Sequence, residues 1–174
     1  MPTHEVPLPD FDQEAANTRK MLECVPDNHL DFQPHPRSWK LDHLAGHVAE
    51  LPSWVRYIMR VELLELEPEH LQPFEPKSRQ ELLEKFDQNA KEAREALANA
   101  TTEELDKTWT MKWQGETIMS IPRRAVLRSV VLNHLIHHRA QLGMYLRLLN
   151  VAIPGMYGPS ADEAPPADSE KKSA

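Results

Sequence analysis

The stretch Asn133-His134-Leu135-Ile136-His137-His138-Arg139 sets two imidazoles, His134 and His138, four residues apart inside an otherwise apolar run. In an α-helix that spacing stacks side chains on one face, one turn apart, where both can reach a single divalent ion. On either side of it, Leu127, Val131, His134, His138, Leu142, Tyr145 and Leu149 fall within one arc at about 100° per residue. The spacing therefore predicts a long last helix from Pro122 to about Leu149, with both histidines facing a core. His137 lies about 100° from His138, at the edge of the arc, which suits a residue beside a site rather than in it. The residue after His134 is leucine rather than glutamate, so this is not the zinc-protease pattern.

A second amphipathic segment carries Leu41, Leu44, Val48, Leu51, Val55 and Ile58 at helical spacing, with Ser38 as its expected cap and a kink expected at Pro52. His47 lies about 70° from the mean apolar direction and His43 about 110°. Burial favours His47 as a partner for the other two, although His43 and His47 are themselves an i, i+4 pair and spacing alone permits a metal there. A histidine on an apolar face is more often a core residue with its nitrogens hydrogen-bonded than a ligand. That reading weighs most on His47. It weighs least on His134 and His138, since two stacked, buried imidazoles without a shared partner would each need separate acceptors. Trp54, on roughly one face with His47, Arg139, and Tyr145, two turns beyond His138, are the candidate pocket walls.

Elsewhere prolines separate the periodic segments. Phe11, Ala15, Thr18, Leu22 and Val25 predict a first helix ending before Pro26, and Pro34 and Pro36 keep the next stretch extended. Ser78 to Glu81 is a capping-box pattern opening a helix to about Ala98, with Leu82, Phe86, Ala90, Ala93 and Leu97 inward. Trp109, Met111 and Trp113, then Thr117, Met119 and Ile121, alternate about Gln114-Gly115 and predict a short hairpin or extended insertion before the last helix. The expected architecture is an all-α four-helix bundle over residues 1–158, followed by a disordered tail over 159–174 of Ser, Ala, Pro, Asp, Glu and Lys.

Composition excludes several functions. With 174 residues, 40% of them hydrophobic, the chain can bury one core. A formal net charge of -7 argues against nucleic acid as a partner, which needs clustered Lys and Arg. No run approaches the roughly 18 apolar residues of a membrane span, and no basic leader precedes an apolar run, so a cytoplasmic protein is expected. Cys24, between Leu22 and Val25, reads as a buried thiol. Glycine-rich phosphate loops, CxxC pairs and Gly-x-Ser-x-Gly elbows are absent from the sequence, leaving nucleotide-dependent and serine-hydrolase chemistry without support.

Residues 39–54 (WKLDHLAGHVAELPSW), 133–147 (NHLIHHRAQLGMYLR) and 151–162 (VAIPGMYGPSAD) together resemble the DinB/YfiT-like metalloenzyme family, whose metal helix carries HxxxHRxQL. The resemblance implies an up-down-down-up bundle, usually a homodimer, with one divalent transition ion, zinc or nickel first, held by His47, His134 and His138. His43 and His137 then stay outside the ligand set. Characterised relatives imply a transferase or isomerase using a low-molecular-weight thiol such as bacillithiol or mycothiol. An open three-histidine site suits that role, since an ion lowers the pKa of a thiol and aims it at an electrophile. The expectation is a metal-dependent thiol S-transferase acting on small electrophiles. The alternatives are a hydrolase activating water at the same site and a non-catalytic metal-binding stress-response protein.

Overall fold

Phe11, Thr18, Met21 and Leu22 lie on one face of α1 (Leu8–Leu22), and burial of that face holds the helix against the rest of the chain. The computed structural model describes residues 8–70 and 72–163. α1 packs on α4 (Arg79–Ala98) and α7 (His134–Leu148), and α2 (Leu41–Glu50) packs on the same two helices. One apolar cluster, with Leu22, Leu44, Val48, Phe86, Leu135 and Leu142, fills the space between them. A second, with Phe11, Ile58, Trp109 and Val131, continues the core beneath the sheet, and Trp54 packs against both clusters.

Local sequence sets most element ends. α2 begins after Lys40 without a side-chain cap, so Ser38 does not take the capping role expected of it. Pro52 divides the second amphipathic segment: α2 stops at Glu50, a 3-10 turn spans Leu51–Ser53, and α3 (Trp54–Arg60) resumes the same buried stripe with Val55 and Ile58. Ser78 Oγ accepts from the Glu81 N–H, while Glu81 Oε2 accepts from the Lys77 N–H, one residue before the expected partner. The complete capping box lies at Thr101 and Glu104, opening the short α5 (Thr102–Asp106).

The all-α expectation is corrected by a mixed three-stranded sheet. β2 (Thr108–Trp113) and β3 (Glu116–Pro122) form the expected hairpin, with Gln114 (φ 49°) and Gly115 (φ 84°) at its turn, both on the positive side that matches strand twist. β1 (Leu63–Leu66) adds a parallel partner to β2, Leu63 opposite Thr110 and Leu66 opposite Trp113. Four residues, Leu-Leu-Glu-Leu, are too few to show a period-2 pattern, and the ladder that fixes them is supplied from far along the chain.

The last helix is not uniform. Pro122 closes β3 and precedes α6 (Arg123–Val126). A π-helical segment spans Leu127–Asn133, and α7 starts at His134. The wider π turns shift the helical phase, so the arc drawn at constant pitch through Leu127 and His138 does not exist. The buried stripe of α7 is Leu135, Arg139, Leu142 and Leu146, and His134 and His138 turn about 70–110° from its middle. They are half-buried on its flank, facing α2, rather than within the core.

Past α7 the chain turns back along the helices. Asp162 pairs with Arg147 and accepts from the Ile153 N–H, placing residues 159–163 against the end of α7. The remainder of the expected tail, 164–174, lies outside the described residues. Among the described residues no helix is long and apolar enough to cross a membrane.

Candidate metal centre

α2 and α7 face each other across the site. α2 is held by Leu41, Leu44, Ala45, Val48 and Ala49, which leaves His47 on the edge of its buried face, directed at α7. There its Nε2 lies 3.3 Å from His134 Nε2, which lies 2.9 Å from His138 Nε2. Two nitrogens each about 2.0–2.1 Å from one ion stand about 2.9–3.4 Å apart for angles between square and tetrahedral, so these separations match a shared ion.

The hydrogen bonds of the opposite ring nitrogens favour the same reading. His138 Nδ1 sits 2.7 Å from Gln141 Oε1, which places the proton on Nδ1 and leaves Nε2 with its lone pair. The His134 ring has the Val130 backbone on one side, and its Nε2 is turned to its two neighbours. The 2.9 Å contact between the two Nε2 atoms is satisfied by an N–H···N bond in one tautomer and by a shared cation when both lone pairs are free. A proton is a poor candidate. Burial holds the His47 ring down to about 4, aided by the charges of His138, His134 and His43, and burial likewise lowers His134 and His138. Three neutral imidazoles brought this close together could hold a divalent transition ion. Their ligand atoms lie within 4.8 Å of one another, and among the described residues no further His, Cys, Asp or Glu joins the group.

The other residues singled out in the sequence are spread around this point. His43 lies tilted at 42° against Trp39, ring centroids 4.6 Å apart, and 3.7 Å from a Glu75 carboxylate oxygen, outside the triad. His137 is exposed, its ring edge-on to His138 at 4.8 Å. Tyr145 lines a cleft beside His138, as expected of a pocket wall, and its hydroxyl donates to the Trp39 carbonyl. Trp54 lines a different cleft, with Glu50, Tyr57 and Glu65. Arg139 is 2% exposed and belongs to the core. It pairs with Glu14 at 2.7 Å, donates to the Glu14 carbonyl and Thr18 Oγ1, and meets the Tyr157 hydroxyl at 2.6 Å.

Two residues at the site were not anticipated. Gln141, at i+3 from His138, fixes that ring's tautomer and orientation, a helical spacing legible in the sequence. Trp39 precedes α2 on the segment 30–40, which is tied down by Leu41 N–H to Phe32 O, Asp42 N–H to Leu30 O, and Gln33 to the Ser38 carbonyl. Its indole lies near-parallel to His138 (5.5 Å, 22°) and edge-on to His47 (5.3 Å), so it borders two members of the triad. A further constraint is Gly46. A Cβ there would overlap the Phe74 carbonyl oxygen, so only glycine lets the connection before α4 cross α2 beside His47.

Known proteins share this architecture. A DinB-like protein from Bacillus cereus ATCC 10987 superposes with a TM-score of 0.67 at 21% identity over 86% of this chain and 95% of its own. The DinB-like protein YjoA of Bacillus subtilis gives 0.65 at 18% identity, over 86% and 96%. The uncharacterised protein YrdA of Bacillus subtilis (strain 168) is 25% identical over 160 residues, 90% of this chain and 89% of its own. The family model described as the DinB family matches residues 1–171, nearly the full length of the sequence. By that match the chain belongs to the DinB family.

Proposed function

We propose that His47, His134 and His138 hold one divalent transition ion, zinc or nickel first, and that the protein is an enzyme transferring a low-molecular-weight thiol to small electrophiles. The observation that carries this is the convergence of three Nε2 atoms with no fourth side-chain donor among the described residues. Structural zinc sites are closed by four protein ligands, whereas catalytic sites keep a position open. An ion bound there supplies Lewis acidity, drawing the proton from a thiol at neutral pH. The chain's own residues do the rest. Gln141 and the Val130 backbone keep both Nε2 atoms of α7 turned inward, and Trp39 shields one side of the triad from water. In the same reading α1, α2 with α3, α4 and α7 form the family's up-down-down-up bundle, supported by their pairwise packing, and the protein works as a cytoplasmic homodimer.

The test is conjugation of several low-molecular-weight thiols to a chloroaromatic or an epoxide by zinc- or nickel-loaded protein, before and after chelation. Metal-dependent, saturable conjugation supports the proposal. Turnover of simple esters or amides instead would replace the transferase with a hydrolase. Failure of both with a full site would leave a metal-binding protein without catalysis.

A further inference from the structure

Beside the triad is a cleft of about 380 Å³ lined by Ser38, Trp39, Leu44, His138, Met144 and Tyr145, with Gln141 at its edge. Two properties set it apart from three other clefts among the described residues, those at Trp54, at Arg79 and at Arg60. Its lining includes a member of the triad, and it contains no Asp, Glu, Lys or Arg, whereas the others carry charged side chains. Its apolar walls are open to solvent: Trp39 is 43% exposed and Met144 63%. They are also braced. Tyr145 donates to the Trp39 carbonyl at 3.1 Å and Phe32 packs edge-on against the Tyr145 ring, which fixes the phenol against the segment that carries Trp39.

We infer that this cleft is the subsite for an uncharged, apolar, ring-sized group of the substrate, held between Trp39, Met144 and Tyr145 while the rest of the molecule reaches the triad past His138. The inference deepens the proposed function and rests on its reading of the triad as an open metal centre. The volume lies at the low end of the roughly 300–1,000 Å³ of small-molecule pockets, which suits a ring-bearing small molecule rather than a lipid chain or peptide. The walls offer no charged side chain as a partner, while the exposed faces of Trp39 and Met144 gain from covering by an apolar group.

The experiment titrates cobalt(II)-substituted protein with imidazole and with 4-phenylimidazole, following the metal's visible spectrum. In parallel it titrates metal-free, 15N-labelled protein with 4-phenylimidazole, following the Trp39 indole N–H assigned by comparison with Trp39→Phe. The phenyl group should tighten binding by about tenfold or more, in keeping with burial of a large apolar group, and the Trp39 signal should shift in the metal-free protein. Met144→Glu, at an exposed position, should abolish the phenyl advantage. Leu148→Glu, one turn further along α7 and outside the cleft, should keep it. Equal affinity for the two ligands with an unmoved Trp39 signal overturns the inference, as does a phenyl advantage that survives Met144→Glu. A face closed by a second copy of the chain would show neither response until Met144→Glu converts a dimer to a monomer in sedimentation, and that outcome also overturns it. If imidazole leaves the cobalt spectrum unchanged, the open centre of the proposed function fails, while the metal-free titration still decides the cleft.

Discussion

Breaking the buried pair between Arg139 and Glu14 should be among the most destabilising single changes in this protein. The guanidinium is 2% exposed and the carboxylate 11%, their atoms are 2.7 Å apart, and the Tyr157 hydroxyl accepts from one and donates to the other. Removing one partner of such a pair leaves a charge without compensation, an effect of about 3–5 kcal/mol. The lower end applies to Glu14→Ala, because Arg139 keeps the Glu14 carbonyl, Thr18 Oγ1 and Tyr157 as acceptors. Glu14→Gln retains an acceptor and loses only the charge, which suggests about 2 kcal/mol. Arg139→Met removes the other partner, and the double variant Glu14→Ala with Arg139→Met should be less unstable than the sum of the singles by at least about 1.5 kcal/mol. Urea unfolding gives each value. In thermal melts a loss of about 3 kcal/mol in a domain of this size corresponds to a fall of about 6–12 °C. A coupling energy below about 0.5 kcal/mol would mean that the two groups do not act as a pair, and the assignment of this network as the tie between α1 and α7 would fail.

Gly46→Ala should destabilise the fold by about 1–3 kcal/mol in the same urea assay, because the added methyl drives the Phe74 backbone off α2; an unchanged midpoint would show that this connection yields freely. Gln141→Leu should weaken zinc affinity about tenfold in competition with a chromophoric chelator, by removing the acceptor that orients His138, and Gln141→Glu should restore it. The pH dependence follows from burial of His47, held down to about 4, and of His134 and His138, lowered in the same direction. As pH falls below about 6.5 the unfolded chain takes up protons that the folded rings still refuse. Stability of the metal-free protein should therefore be complete above that pH and fall toward pH 4. His47→Gln should flatten this decline in melts taken across the window, and parallel curves for the two proteins would refute it.

The parts of the molecule read correctly from sequence are those whose cause is local. Leu41 to Ile58 and Leu82 to Leu97 announce their helices by period, Pro52 marks its own break, and Gln114-Gly115 marks the hairpin turn. His134 and His138 could be singled out because an i, i+4 pair on one helix needs no tertiary knowledge, whereas the face of α2 only favoured His47 over His43, and their closeness to His47 is what the structure adds. What escaped the reading depends on partners far along the chain. β1 exists because β2 runs beside it, Arg139 is buried because Glu14 and Tyr157 receive it, and Trp39 reaches the triad because the segment 30–40 is folded over α2. The π-helical segment misled the arithmetic in a specific way: constant pitch put His134 and His138 inside the core, while the phase shift across Leu127–Asn133 turns them to its half-buried flank.

Zinc stoichiometry after equilibrium dialysis, measured by elemental analysis on the native chain and on His134→Ala, tests the central claim most directly, since His134 Nε2 stands within 3.3 Å of both other ligand atoms. The account predicts one zinc per native chain and close to none in the variant, with His43→Ala and His137→Ala both retaining the metal. A native chain that holds no zinc, or a His134→Ala variant that holds as much as the native chain, would contradict it.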